Sequence, residues 1–391
     1  MTQIDDSKLY CEVRTSKGVF RDWTSVTVNY SAERSYMRFF QLELAEVTPP
    51  GGQVQPTLLG QGGAGAALMQ RLLPGDRASI YLAGQPVIVD GYIKVRQAAY
   101  DANRHAVQVT GIAKSGNITK VSVDVPGGQF RNYTLSAIAS RVLQPLGVGF
   151  SLVNPPSGAD LPFRNVIVAP GETIGGMIVR LARQRGCWVW TDVDGTINAG
   201  NPPGSGSATL EEGRNIISAS SYIEDPQAEF ALSRSQTSGS DQLWGRNSSE
   251  ISAKASIPGS RSGAGMSVIT LAEAPNTQKE LQTRTNFEVQ AIMADIHRDV
   301  ITHRGWLRPT AAALWDIGDH ATVKSPMLYP FGDATQNLRV WGVSCTQNDQ
   351  VGTVTSVELV NDATFSMQFP DASKSSPYNQ SATPAQPEGY T

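Results

Sequence analysis

One stretch limits the fold more than any other: residues 74–115, PGDRASIYLAGQPVIVDGYIKVRQAAYDANRHAVQVTGIAKS. Pro74-Gly75 is a turn dipeptide, Asp76 follows it, and Arg77–Leu82 has the composition of a strand. A Gly84-Gln85-Pro86 turn leads to a second run, Val87–Arg96, rich in β-branched residues and carrying Gly91 inside it. A polar turn at Tyr100–Arg104 precedes a third run, His105–Ile112. Three short runs separated by turn chemistry predict an antiparallel meander, the unit from which small barrels are built. Gly91 within the second strand predicts a bulge or a sharp bend.

The stretch has an echo near the other end of the chain. Gly75-Asp76-Arg77-Ala78-Ser79-Ile80 is matched by Gly318-Asp319-His320-Ala321-Thr322-Val323. Each is followed by a strand-like run containing a glycine, Val87–Val95 with Gly91 and Leu338–Ser344 with Gly342, and then by a closing run, Ala106–Ile112 and Thr353–Val360. The second copy has the longer first connection, Ser325–Asn337. Coincidence is the competing explanation for six loosely similar positions. Duplication predicts two copies of one β-barrel module with other material between them.

A chain of 391 residues predicts two to four domains, because a single core rarely grows past about 250–300 residues. With 37 glycines, 23 prolines and 7% aromatics it reads as turn-rich and strand-dominated. A net charge of −3 gives no global basic field for nucleic acid. Cys11, Cys187 and Cys345 are far apart, odd in number and lack metal spacing, which predicts reduced thiols in a chain assembled in a cytoplasm. The polar, acidic start MTQIDDSKLYCEVR is not a signal peptide, and no stretch approaches ~20 apolar residues, so no membrane partner is expected.

In chain order, Leu9–Val13, Trp23–Tyr30 and Arg38–Val47 read as strands, with Val26, Val28 and Tyr30 on one face of the second and Phe40, Leu42 and Leu44 on one face of the third. Residues 49–66, PPGGQVQPTLLGQGGAGA, read as an insertion loop. Leu135, Ile138, Ala139, Val142 and Leu143 recur at helical spacing behind Thr134 as cap, and Gly147 ends that helix. A second helix runs from about Thr173 to Arg185, with Gly186 as its stop. Strands at Cys187–Thr191 and Thr196–Ala199 flank the Asp192–Gly195 turn, and PPGSGS at 202–207 is linker-like. Residues 209–232 and 242–257 read as strands, and a third helix as running from about Thr277 to His303 on a stripe of Phe287, Val289, Ile292, Met293, Ile296 and Val300. The last residues, 370–391, lack apolar periodicity and are expected to be disordered.

The fold class expected is α+β, mainly β: two similar antiparallel β-barrel domains with α+β material between them. The divisions are 1–119 for the first barrel with its loop 49–66, 120–203 for a small α+β domain, and 204–303 for a strand-rich segment with a long helix. A second barrel follows at 304–369, completed by 209–257, and then a tail at 370–391.

No catalytic motif stands out, and no catalytic, cofactor-binding or metal-binding residue is assigned. Asp90, Asp101, Asp192 and Asp194 lie at strand ends or turns, where Asp has a local hydrogen-bonding role; two of them would be needed as a glycosidase pair. His105, His297, His303 and His320 form no ligand set with metal spacing. Gly171-Glu172-Thr173-Ile174-Gly175-Gly176 lacks the lysine and the spacing of a phosphate loop. Trp188 and Trp190 share a strand face, as core or interface residues or, in a rival reading, as a sugar platform. Arg180, Arg183 and Arg185 read as a solvated or intersubunit face. Asn132–Asn154 loosely resembles a LysM glycan-binding module, but Pro155-Pro156 blocks the second helix such a module requires.

The order of features resembles the tail baseplate hub proteins of contractile-tailed phages, of the Mu type (the late control D-like family). The residues that carry the resemblance are Pro74-Gly75-Asp76, Val89–Ile93, Tyr100-Asp101-Ala102, His105–Gly111, Thr134–Ala139, Leu146-Gly147-Val148, Gly171-Glu172-Thr173, Leu181–Gly186 and Asp194-Gly195. It runs over roughly 9–365. Two departures stand out: Ile112–Asn117 replaces the Arg and Asp-Leu pair often found after the strand glycine, and the insertion 49–66 is long.

The resemblance implies a structural, non-enzymatic homotrimer whose two barrels per chain alternate around an axis, joining a six-fold tail tube to a three-fold central spike. Its partners would be the tail tube protein, the spike protein and other baseplate proteins, with no cofactor, and DNA would meet it only by passage through the ring. The place implied is the virion tail baseplate, assembled in the host cytoplasm. The alternatives are a baseplate-associated peptidoglycan hydrolase and a glycan-binding module.

Overall fold

The computed structural model describes residues 10–21, 23–32, 37–46, 72–100, 105–235, 251–260, 264–272, 277–330 and 334–366. The insertion 49–66, Asp101 with its turn, and the tail 370–391 lie outside them. The chain is mainly β with antiparallel sheets. It opens with β1 (Cys11–Thr15), β2 (Gly18–Phe20), β3 (Ser25–Ser31), β4 (Phe39–Glu46), β5 (Arg77–Leu82), β6 (Gln85–Tyr100) and β7 (His105–Ile112). The middle contains β8 (Gln129–Tyr133), α1 (Leu135–Leu143), β9 (Phe150–Val153), β10 (Phe163–Ile167), α2 (Ile174–Gln184), β11 (Trp188–Thr191) and β12 (Ile197–Gly200). The remainder is β13 (Ser207–Glu211), β14 (Ile216–Ile223), β15 (Phe230–Ser235), β16 (Ile251–Ser256), β17 (Ser267–Ala272), α3 (Gln278–Ile296), β18 (His297–Arg304), β19 (His320–Lys324), β20 (Thr335–Asn348), β21 (Gly352–Asn361) and α4 (Ala363–Ser366).

A 13-stranded sheet dominates, in the order β14-β18-β21-β20-β3-β4-β7-β6-β5-β1-β2, with β19 on β20 and β13 on β19. Alternation built its strands: Val26, Val28 and Tyr30 are buried along β3, and Ala78, Ile80 and Leu82 along β5, because side chains on a strand alternate faces. The described strands follow one open path and do not form two separately closed barrels. Length is the reason: β20 spans 14 residues, so its first half holds β19 and its second half holds β3. That shared strand merges the two ends of the chain into one sheet over one large core.

Residues between Ile118 and Ala199, joined by Met37, form a second apolar interior, with α1 and α2 against short sheets. Thr134 caps α1 by accepting from the Ala137 amide at 3.1 Å, and Thr173 caps α2 by accepting from Gly176 at 3.1 Å. Gly147 and Gly186 end these segments at φ +63° and +70°, the left-handed geometry that glycine tolerates best.

The third helix is shorter than the sequence predicts. It begins with a capping box between Thr277 and Glu280 and ends at Ile296, and His297–Arg304 is instead strand β18, held between β14 and β21. The stripe that carries Ile296 and Val300 fits helical spacing only by coincidence. Asp299, Ile301 and His303 are buried at alternate positions, and β-branched Val300-Ile301-Thr302 favours a pleated surface. Tertiary pairing thus overrides the helical period. Of the segment 209–257 expected to complete the second barrel, β13 and β14 join the large sheet, whereas β15 and β16 pair with β17 in a separate three-stranded sheet lying on α3.

Candidate functional site

The residues that offered chemistry are occupied by structural roles. Asp192 accepts from the Val193 amide at 2.7 Å, and Asp194 from the Thr196 amide at 2.8 Å and its hydroxyl at 3.0 Å. Both carboxylates therefore shape the β11–β12 turn. Asp90 sits at φ +54° on β6, with its amide donating to Ser79 Oγ at 3.1 Å. His303 is buried between two partners: Trp315 Nε1 donates to its Nε2 at 2.8 Å, and its Nδ1 lies 3.1 Å from the Arg304 carbonyl. That arrangement suits one neutral tautomer, and burial lowers its pKa below the ordinary histidine value. His297 lies 3.5 Å from Asp299, whose other oxygen accepts from the Tyr329 hydroxyl. His320 is exposed on β19, and His105 opens β7. No group of three His, Cys, Asp or Glu side chains among the described residues is placed to hold a metal ion.

Trp188 and Trp190 are buried and do not form a surface platform. Trp188 packs against Phe287, Trp341 and Phe365, with ring centroids 4.4, 4.9 and 6.2 Å away, and its Nε1 donates to the Thr364 carbonyl at 3.0 Å. Arg180 and Arg185 do not lie on a solvated face, which corrects the first of the two sequence readings of the cluster. Arg185 is buried and pairs with Glu280 of α3 at 2.6 Å, donates to the Leu161 carbonyl at 2.8 Å, and lies 4.0 Å from the centre of the Phe163 ring. Arg180 is paired with Glu172 at 2.7 Å. Among the arginines that line the cleft of Arg180, Arg183 and Arg284, Arg180 pairs with Glu172 and Arg284 with Glu288.

What the structure does bring together is the repeated stretch. β5-β6-β7 and β19-β20-β21 are each antiparallel meanders, and their entrances match bond for bond. Asp76 accepts from the Leu73 amide at 2.8 Å through its side chain, and Asp319 accepts from Asp316 at 2.9 Å. The Gly75 amide donates to the Ile93 carbonyl and the Ile93 amide to Asp76. Gly318 donates to Val340 and Val340 to Asp319 in the same way. Gly75 and Gly318 are at φ +97° and +85°, where a Cβ is unfavourable. The ladder shift that follows is shared too, between Ile93 and Val95 in β6 and between Val340 and Gly342 in β20.

This register corrects the glycine match. Gly91 lies opposite Ala78 and Leu338 opposite Ala321, so Gly91 corresponds to Leu338, and Gly342 to Val95. Surroundings differ as well. The Leu73 amide and the Lys17 ammonium hold the Asp76 carboxyl below its ordinary pKa. Burial pushes Asp319 up, despite donors at Asp316, Gly206 and Arg308. The repeat extends outward: β7-β4-β3 and β21-β18-β14 are antiparallel in the same order.

Sequence reasoning missed Arg38, which anchors the join between the ends. It is buried, donates to the Thr191 carbonyl at 3.0 Å and to Asp316 at 2.9 Å, and lies 4.3 Å from the centre of the Tyr30 ring. A lone arginine before a strand carries no sequence signal that separates it from a surface cation.

Comparison with known proteins agrees with this architecture. Residues 116–201 match the family model for the second domain of gp44-like baseplate hub proteins. The chain is 25% identical over 355 residues to the baseplate hub protein gp44 of Escherichia phage Mu, covering 89% of this chain and 86% of that protein. The 43 kDa tail protein of prophage MuSo2 from Shewanella oneidensis superposes with a TM-score of 0.70 at 20% identity, over 91% of this chain and 99% of that one. A type VI secretion system component of Escherichia coli, described as structurally similar to the T4 tail proteins gp27 and gp5, superposes with a TM-score of 0.53 at 9% identity, over 87% and 73%. The resemblance to Mu-type baseplate hub proteins holds.

Proposed function

We propose that this chain, like the Mu-type hub proteins it resembles, is the structural hub of a contractile-tail baseplate. Three copies form a ring that joins a six-fold tail tube to a three-fold central spike. Each copy offers two similar barrel-like faces to the tube, one built on residues 1–119 and one on 304–369. The α+β part, 120–203, and, from the segment 204–303, the sheet of β15, β16 and β17 with α3 face the spike and the other baseplate proteins, while β13, β14 and β18 complete the second tube-facing sheet. The ring is assembled in the host cytoplasm and works in the virion, with DNA passing through its opening. Its function is carried by interfaces and not by catalysis.

The observation that carries this reading is the repeated meander, with the same aspartate, the same glycine geometry and the same ladder shift at both ends of the chain. A six-fold tube meets equal contacts on a three-copy ring only if each copy presents the docking surface twice. Light scattering on the purified protein tests it. Three copies of the 41.9 kDa chain weigh about 126 kDa, and a strictly monomeric species at every concentration would rule the ring out. A turbidity assay on peptidoglycan should show no clearing.

A further inference from the structure

A cleft of about 120 Å³ lies between α2, α3 and β17, away from the repeated meanders. Val179, Arg180 and Arg183 line it at helical spacing on α2, Arg284 lines it from α3 and Leu271 from β17. No carboxylate is among its lining residues. Gln184 also lines it and is only 4% exposed, yet neither its Oε1 nor its Nε2 has a hydrogen-bond partner. A buried amide left unpaired is costly, and polar groups so placed in native proteins ordinarily have a partner. The cleft therefore presents guanidinium donors and an unsatisfied amide to whatever enters it.

Beside the cleft runs an open strand edge. In the order β16-β15-β17, β17 pairs only with β15, so its outer edge has no strand partner among the described residues. Val268, Ile269 and Leu271 on it are 43%, 59% and 57% exposed. The opposite edge strand is guarded. β16 carries Lys254, and Gln278 and Gln282 of α3 donate to its Ser252 and Lys254 carbonyls at 2.9 and 3.4 Å. β17 has no lysine, no proline and no charge, the devices that ordinarily keep an open edge from pairing.

We propose that the cleft and this edge form one docking site for an extended acidic segment of a different protein. The segment adds a strand to β17 and sets one carboxylate among Arg180, Arg183, Arg284 and Gln184. Main-chain bonds along a strand edge give such a contact its affinity, and a pocket for one side chain gives it specificity. A guanidinium carries several N–H donors in a planar fork, so an arginine already paired within the chain still suits a second carboxylate. The apolar Val179 and Leu271 at the cleft, with Ile269 beyond, fit a polypeptide better than a hydrated phosphate chain. A second copy of this chain does not supply the segment. Among the described strands that end a sheet, only β13 carries a carboxylate, Glu211, and Arg214 already pairs with it at 3.2 Å. The proposal rests on the hub reading only for taking the partner to be another baseplate component.

Fluorescence anisotropy on the full-length protein tests the site. The probe is a labelled, amidated nonapeptide of alternating threonine and valine with a single central glutamate. It should bind, and the same peptide with glutamine at the centre should bind at least about tenfold more weakly, because charge-assisted hydrogen bonds are the stronger ones. Leu271→Asp changes an exposed side chain, so the fold is kept while the cleft gains a carboxylate of its own. That variant should lose the preference for glutamate. Equal binding of the two peptides, binding of neither, or an undiminished preference in Leu271→Asp overturns the site. So does displacement of the bound peptide by an equal concentration of a thymidine oligonucleotide, which would show that the cleft reads phosphate. Light scattering on the same samples separates the two ideas. A trimeric mass with any of these failures leaves the hub reading standing, and a monomeric mass with selective peptide binding overturns the hub and leaves the site.

Discussion

Gly91 illustrates what a single missing side chain permits. A Cβ built there would lie 2.7 Å from the Ile112 carbonyl oxygen and 2.8 Å from Ile88 Cγ2, so the position needs glycine for close approach; the left-handed backbone belongs to its neighbour Asp90. Gly91→Val should cost about 1–3 kcal/mol through overpacking, read as a lowered denaturant midpoint; an unchanged midpoint would show that the strands can part without penalty. His303 carries a pH signature. Burial keeps its folded pKa below the ordinary value, so on acidification the unfolded chain takes up the proton first and stability falls as pH drops below about 6.5. His303→Gln, which can still accept from Trp315, should lose less stability between pH 7.5 and 5.5 than the parent does. Equal losses would mean that other groups set the acid limb.

Elements were legible where one local pattern dominated. The caps at Thr134 and Thr173, the glycine stops, and the buried stripes of α1 and α2 were readable because capping and period agreed. β18 was misread because Ile296 and Val300 extended a helical stripe that only long-range pairing with β14 and β21 could interrupt. Arg38 was invisible for the same reason, since its partners Thr191 and Asp316 lie far along the chain. Its importance is testable against its own ion-pair partner. Arg38→Ala strands buried carbonyls and should cost on the order of 2–4 kcal/mol. Asp316 is 52% exposed, so Asp316→Asn should cost less than about 1 kcal/mol. Urea titrations giving both variants the same small shift would show that Arg38 is not an anchor.

At the scale of the whole molecule, duplication and merger are two consequences of one strand length. β6 and β20 each run past the neighbour that starts them, and that overhang accepts β3 in the second copy of the meander. The Gly-Asp opening was visible in sequence because a positive-φ turn followed by a strand leaves few residue choices; the shared overhang was not, because strand edges have no residue code. The hub reading converts this duplication into a stoichiometry. If each chain offers its meander-bearing face twice, a ring of three hub chains should hold six copies of the tail tube protein, a ratio of two to one. Native mass spectrometry of the co-purified hub–tube complex measures that ratio directly. A Gly75→Val substitution, which forces a β-branched residue into φ +97° in only one of the two copies, should shift the ratio towards one to one. A complex that holds one tube subunit per hub chain from the outset would show that the two meanders are related in structure but not in docking.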